Sequence, residues 1–191
     1  MEDQHERGAV LFVVAIVVLA AFIGAAAFFT WQNRQGAVEE PGPQEPSVGN
    51  FDECIEHYAT MESYPRRCAT PDGRTFTEDI GNELEKQDII RIDSPRPNEI
   101  VGSPLSITGE ARGPWFFEAS FPVRLLDENG KELASGIATA EGEWMTEDFV
   151  PFTAELEFVL SGNGKGTLIL EKDNPSGLPE NDDSLIVPVR F

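Results

Sequence analysis

The chain has 191 residues, 34 acids against 14 bases, a formal net charge of −20, and 40% hydrophobic residues. That balance excludes nucleic acid and anionic lipid head groups as partners, because it repels phosphate, and it suits solubility, divalent cations or a basic partner. Only Glu2, Asp3, Glu6 and Arg7 carry charge in the first thirty residues, so about 160 residues beyond them hold nearly all of it, enough for one ordinary domain plus a linker.

Residues 1–8 form a short tail. The run Ala9–Phe29, AVLFVVAIVVLAAFIGAAAFF, contains no charged residue. A helix of about 21 residues spans the ~30 Å hydrocarbon core of a bilayer. The run is longer than a usual h-region, and its flank carries Arg7 among acids, so it predicts a signal-anchor helix that spans the membrane once. A small-residue site around Ala25 and Ala27 keeps cleavage open as the alternative. Trp31 sits where an interfacial aromatic anchor belongs. Arg7 and Arg34 flank the run on opposite sides, so basic residues leave the orientation undecided. The acidic domain and the cysteine pair instead place the C-terminal part outside the cytoplasm. Residues 30–50, containing EEPGPQEP, predict an extended acidic linker rich in proline and glycine.

Residues 51–87 contain both cysteines, Cys54 and Cys68, with turns marked by Tyr64-Pro65 and Pro71-Asp72-Gly73. Two cysteines at this spacing outside the cytoplasm most simply form a disulfide closing one loop, worth ~3 kcal/mol in the chain-entropy model. Spacing alone does not establish the bond. Metal ligation by Cys54, His57 and Cys68 is the poorer pattern, since a second Cys or His pair is missing.

From residue 88 to 191 the pattern becomes short alternating runs between Gly, Pro and Asn turns. Ile90 and Ile92 alternate, then Leu105, Ile107 and Gly109. Phe117, Ala119, Phe121, Val123 and Leu125 share one face of the next run, with Pro122 predicting an edge strand or a bulge. Asn129-Gly130 supplies φ > 0 residues for a tight hairpin turn into Leu133–Ala138. Ala154, Leu156, Phe158 and Leu160 point inward in a further run, Leu168-Ile169-Leu170 follows, and Leu185–Val189 gives the last. About seven short strands without a helical period predict an all-β, immunoglobulin-like β-sandwich ectodomain, one lacking the inter-sheet disulfide of antibody domains. Trp115 and Trp144 are core or rim residues.

The strings IRIDSPRPNEIVGSPLSITGEARGPWFFEASFPVRLLD, EWMTEDFVPF and LILEKDNPSGLPENDDSLIVPVRF carry a family likeness. Through Ser94-Pro95, Ser103-Pro104, Gly109–Phe117 and Asp173-Asn174-Pro175-Ser176-Gly177, residues 88–191 resemble the immunoglobulin-like domain family of bacterial spore germination proteins. The resemblance implies a bacterial envelope protein with a sandwich fold and no catalytic residues. It does not imply a role in germination, and fold alone does not fix function. The cysteine segment lies outside it.

No catalytic constellation assembles from the residues. His57 is the only histidine beyond the tail, and no G-x-S-x-G string accompanies it. GNGKGT at 162–167 lacks the first glycine and the Ser/Thr of a phosphate loop, and Pro175 disqualifies Asn174 as a glycosylation acceptor. In EKDNPSGLPENDDS, Asp173, Asn174, Glu180, Asp182 and Asp183 offer oxygen ligands of the kind calcium takes, against the plainer reading of a polar turn. Arg112, Trp115 and Phe116 offer an aromatic and cationic contact patch, against a strand start that feeds the core. The expected function is therefore non-catalytic binding or scaffolding at the cell envelope, toward an envelope protein or polymer. The alternatives are an enzyme or enzyme accessory using carboxylates on envelope polymer, and a calcium-binding surface module.

Overall fold

The computed structural model describes residues 28, 31, 46–160 and 162–191. Among the described residues no helix is long and apolar enough to cross a membrane. The tail, all but Phe28 of the Ala9–Phe29 run, and all but Trp31 of the linker before residue 46 lie outside them.

Residues 48–191 form one compact unit. It begins with helix α1, Phe51–His57. Asn50 caps the helix by accepting from Glu53 N at 2.9 Å, while Glu53 reaches back to Gly49 N at 2.7 Å, a reciprocal capping box that fixes a helix too short to persist alone. Three short strands follow, β1 (Thr60–Met61), β2 (Arg67–Ala69) and β3 (Thr75–Thr77), in a sheet of order β1-β2-β3. Cys54 on α1 is bonded to Cys68 on β2, and with Val48 and Phe51 they form a small core. The cysteine segment is thus a folded module with its own sheet, beyond the closed loop that its sequence predicts. Metal ligation by the two thiols is ruled out by the bond between them.

Helix α2 (Glu83–Lys86) leads into seven strands: β4 (Ile90–Ser94), β5 (Leu105–Arg112), β6 (Ser120–Asp127), β7 (Glu132–Ala140), β8 (Phe149–Leu156), β9 (Lys165–Glu171) and β10 (Ser184–Arg190). They pair antiparallel in the order β10-β9-β6-β7-β8-β5-β4. β7 and β8 share only the pairs Thr139–Thr153 and Ala140–Phe152, so the ladder folds over there. The two halves face each other across one core: Phe121, Val123, Leu125, Leu168, Leu170, Leu185 and Val187 from one side meet Ile90, Ile92, Ile107, Val150, Phe152 and Leu156 from the other. Phe121 and Phe152 meet edge-on at 4.9 Å between ring centres. This all-β architecture fits an immunoglobulin-like sandwich.

Several local expectations need correction. β6 starts at Ser120, so Phe117 and Ala119 are not part of its inward row; Phe117 is 42% exposed. β6 is not an edge strand, since β7 and β9 flank it, but it does carry a register shift against β7 between Leu125 and Leu126, the bulge offered as the alternative, and its pairing with β9 begins only at Val123. Pro122 therefore sits where one neighbour is missing and no ladder N–H is demanded. In the β6–β7 turn only Gly130 has φ > 0, at 77°, while Asp127 Oδ1 accepts from Asn129 N and Lys131 N and holds the turn closed. β8 ends at Leu156, and Leu160 is 37% exposed rather than inward.

Candidate functional site

Asp52 on α1 pairs with Lys165, the first residue of β9, at 2.7 Å and also bonds Arg190, the last residue of β10. The cysteine module therefore rests on the sandwich at this end, while residues 82–89 run beside β10 and enter β4 at the other, where Lys86 meets Asp183 and Arg112 N donates to Ile89 O. At the other end, about 20 Å away along a strand of this length, lie the connections 113–119, 141–148 and 172–183.

These three connections are tied to one another. Pro114 starts a 3-10 turn, Gly113–Trp115, that drives Trp115 into the core with no exposed surface. Trp115 O accepts from Asp173 N at 3.1 Å, and Gly113 N donates to Thr146 O at 3.1 Å. A Cβ at Gly113 would lie 2.2 Å from Thr146 O and 2.6 Å from Trp144 O, so only glycine allows these backbones to approach so closely. Arg112 donates from Nε to Asp88 O at 2.7 Å and from Nη1 to Glu147 O at 2.5 Å, and its guanidinium lies 4.3 Å from the centre of the Phe149 ring.

That geometry corrects the expected patch of Arg112, Trp115 and Phe116. Trp115 is fully buried and Phe116 is 5% exposed, because the 3-10 turn directs both rings onto Phe121. Arg112 is a strap between connections. The exposed apolar groups of this end are instead Phe117 at 42%, Met145 at 73% and Leu178 at 50%, one on each connection. Sequence reasoning placed Phe117 inside a strand and gave Met145 and Leu178 no role.

Beside the 172–183 connection runs a groove of about 650 Å3, lined by Glu85, Glu171, Asp173, Asp182 and Asp183 together with Lys86 and Lys172. Lys86 pairs with Asp183 at 2.5 Å, and Lys172 donates to Asn181 O at 3.3 Å. The acids outnumber the bases, so the groove is set up to take basic groups. Four of the five residues considered for calcium line it: Asp173, Asn174, Asp182 and Asp183. Glu180 lies apart, in the exposed turn Pro179–Asn181. Asn174 turns its amide nitrogen to Leu178 O and Asp182 Oδ1, at 2.8 and 2.7 Å. Its oxygen accepts from Ser176. Among the described residues no three His, Cys, Asp or Glu side chains gather as a metal would require, so the five are not brought together as a ligand set. His57 is exposed at the end of α1.

Residues 89–177 match the family model of the immunoglobulin-like domain of bacterial spore germination. The match starts just before β4 and stops within the 172–183 connection, so it includes the Gly113–Phe117 turn and the start of the acidic groove. It leaves out β10, which completes the sheet, and the cysteine module. No curated protein and no solved structure matches the chain.

Proposed function

We propose that this chain is a membrane-anchored, extracytoplasmic bacterial protein acting as a non-catalytic binding or scaffolding module at the cell envelope. The germination-type immunoglobulin-like domain presents its far loop end to an envelope protein or polymer that carries basic groups. One observation supports this reading above the others: three connections, cross-tied by main-chain bonds, hold exposed Phe117, Met145 and Leu178 beside an acidic groove, at the end of the sandwich away from the contact of Asp52 with Lys165 and Arg190. Apolar anchors within a charged rim are what selective protein interfaces use. A disulfide-linked module accords with an oxidising compartment, and the Ala9–Phe29 run supplies the anchor.

The test is capture from envelope extract by the full-length protein in mild detergent, with the same protein carrying Phe117→Ser, Leu178→Ser and Asp173→Lys in parallel. Loss of at least about tenfold in the recovered partner fits the loop end as the contact surface. Equal recovery by both proteins rejects it.

A further inference from the structure

The cysteine module meets the sandwich at two polar contacts. In one, Asp52 holds Lys165 at 2.7 Å together with Arg190. In the other, Asn98 Nδ2 donates to Glu78 Oε1 at 3.2 Å and to Asp79 O at 2.7 Å, while Asn98 N donates to Pro188 O at 2.7 Å. Residues of both contacts line one cleft of about 560 Å3, bordered also by the β6–β7 turn. That volume lies within the ~300–1,000 Å3 of ligand pockets, and junctions between folded units are where such pockets concentrate.

The cleft combines apolar surface with carboxylates that still have oxygens to offer. Phe51, Leu126 and Pro188 supply the apolar part. Two of the lining acids are already taken, Asp52 by Lys165 and Arg190 and Glu78 by Arg66. Three others are not. Asp127 spends Oδ1 on Asn129 N and Lys131 N, and Asp79 spends Oδ1 on Gly81 N, which leaves Oδ2 of each. Glu128 is exposed and makes no ion pair among the described residues. Lys165 is the one cation on the described lining, and Asp52 holds it. Among the described residues no three acids gather as a metal ion would require. The spare carboxylates therefore suit separate cationic groups carried on one apolar frame.

We propose that this cleft receives an extended, lysine-bearing segment of a partner protein. The aliphatic stem of a lysine lies on Phe51, Leu126 and Pro188 while its ammonium reaches a spare carboxylate, and a second lysine along the segment meets another. Lysine suits the site better than arginine, because Asp79 and Asp127 each offer a single oxygen and the guanidinium fork seeks two. A second copy of this chain is the wrong occupant, because it brings the same net charge of −20. This surface is separate from the loop end, and each stands or falls without the other.

The probe is the end-blocked peptide Gly-Lys-Val-Lys-Gly, titrated against the full-length protein in mild detergent and followed by amide hydrogen exchange. Expected is binding about tenfold tighter than that of the same peptide with norleucine for lysine, which keeps the stem and loses the charge. Slowed exchange should be confined to residues 77–79, 126–130 and 165–167. Asp79→Asn with Glu128→Gln should weaken the lysine peptide about tenfold, and Thr77→Trp, which fills the cleft from the module side without changing charge, should abolish binding. Glu155→Gln with Glu157→Gln removes the same charge from exposed positions outside the lining and should leave binding unchanged. If Thr77→Trp fails to fold by circular dichroism, the two isosteric pairs decide. Equal weakening by both pairs, full binding to a folded Thr77→Trp, a tighter arginine peptide, or protection that appears elsewhere or not at all overturns the proposal.

Discussion

Glu118 and Ala119 hold φ of 50° and 62°, two consecutive non-glycine residues in the left-handed region. Phe117 N donates to Ser120 O at 3.0 Å and Ser120 N to Phe117 O at 3.1 Å, so the pair forms the centre of a two-residue turn that normally takes Asn-Gly. A left-handed L-residue costs roughly 1–2 kcal/mol, and glycine returns part of that as unfolded-state entropy. Ala119→Gly should therefore stabilise the protein by about 0.5–1 kcal/mol, read as a rise in the urea midpoint at unchanged slope. A lower midpoint would show that the Ala119 methyl group matters more than its backbone. Strain kept beside an exposed aromatic is a common mark of a contact site, and Phe117 is that aromatic here.

At the scale of elements, the two modules rest on different forces. The sandwich holds by burial: Phe152 is 1% exposed and packs on Phe121, so Phe152→Ala should cost ~3–5 kcal/mol in urea unfolding, a large part of a typical domain's stability. The cysteine module has only Val48, Phe51, Cys54 and Cys68 as a buried core, with Tyr58 and Phe76 against it. Cys54→Ser with Cys68→Ser should remove about 3 kcal/mol from that module alone. Amide exchange should then accelerate over residues 48–80 while β5, β6 and β8 keep their protection; uniform acceleration would mean that the two fold as one. This division also explains what sequence could reveal. Strands of eight residues such as β5, β6 and β8 carry a readable alternation, and most of the sandwich follows from it. β1, β2 and β3 have two or three residues each and show no period, so their sheet stayed hidden behind the cysteines. The Gly113–Trp115 turn defeats alternation differently: it rotates Trp115 and Phe116 inward just before a strand whose first inward residue is Phe121. The acids of the 172–183 connection were visible, but their groove depends on α2 and β9 lying alongside, which only the tertiary fold supplies.

For the compact unit as a whole, the contact between cysteine module and sandwich is polar and centred on carboxylates. Asp52 joins Lys165 and Arg190, and Glu78, held within the module by Arg66 at 2.6 Å, accepts from Asn98 Nδ2 of the sandwich at 3.2 Å. The hydrogen bond from Lys165, helped by Arg190, holds the Asp52 carboxyl below the usual range against the opposing effect of burial. Within the module the Arg66 guanidinium likewise holds the Glu78 carboxyl low, so acid weakens the module itself as well as its attachment. A carboxyl whose folded pKa is depressed adds stability above its unfolded pKa, and that stability is lost as pH falls through the folded value. Attachment of the module should thus be level from pH 7 to about pH 5, weaken below about pH 4 where free carboxyls take up protons, and be weakest in stronger acid. Limited proteolysis across that range reads it directly: cleavage within residues 48–80 should rise on acidification before the sandwich is cut, and Asp52→Asn should flatten the dependence. Cleavage that is independent of pH, or that slows in acid, would mean that apolar packing and not these ion pairs holds the module, and with it the near end of β9 and β10, in place.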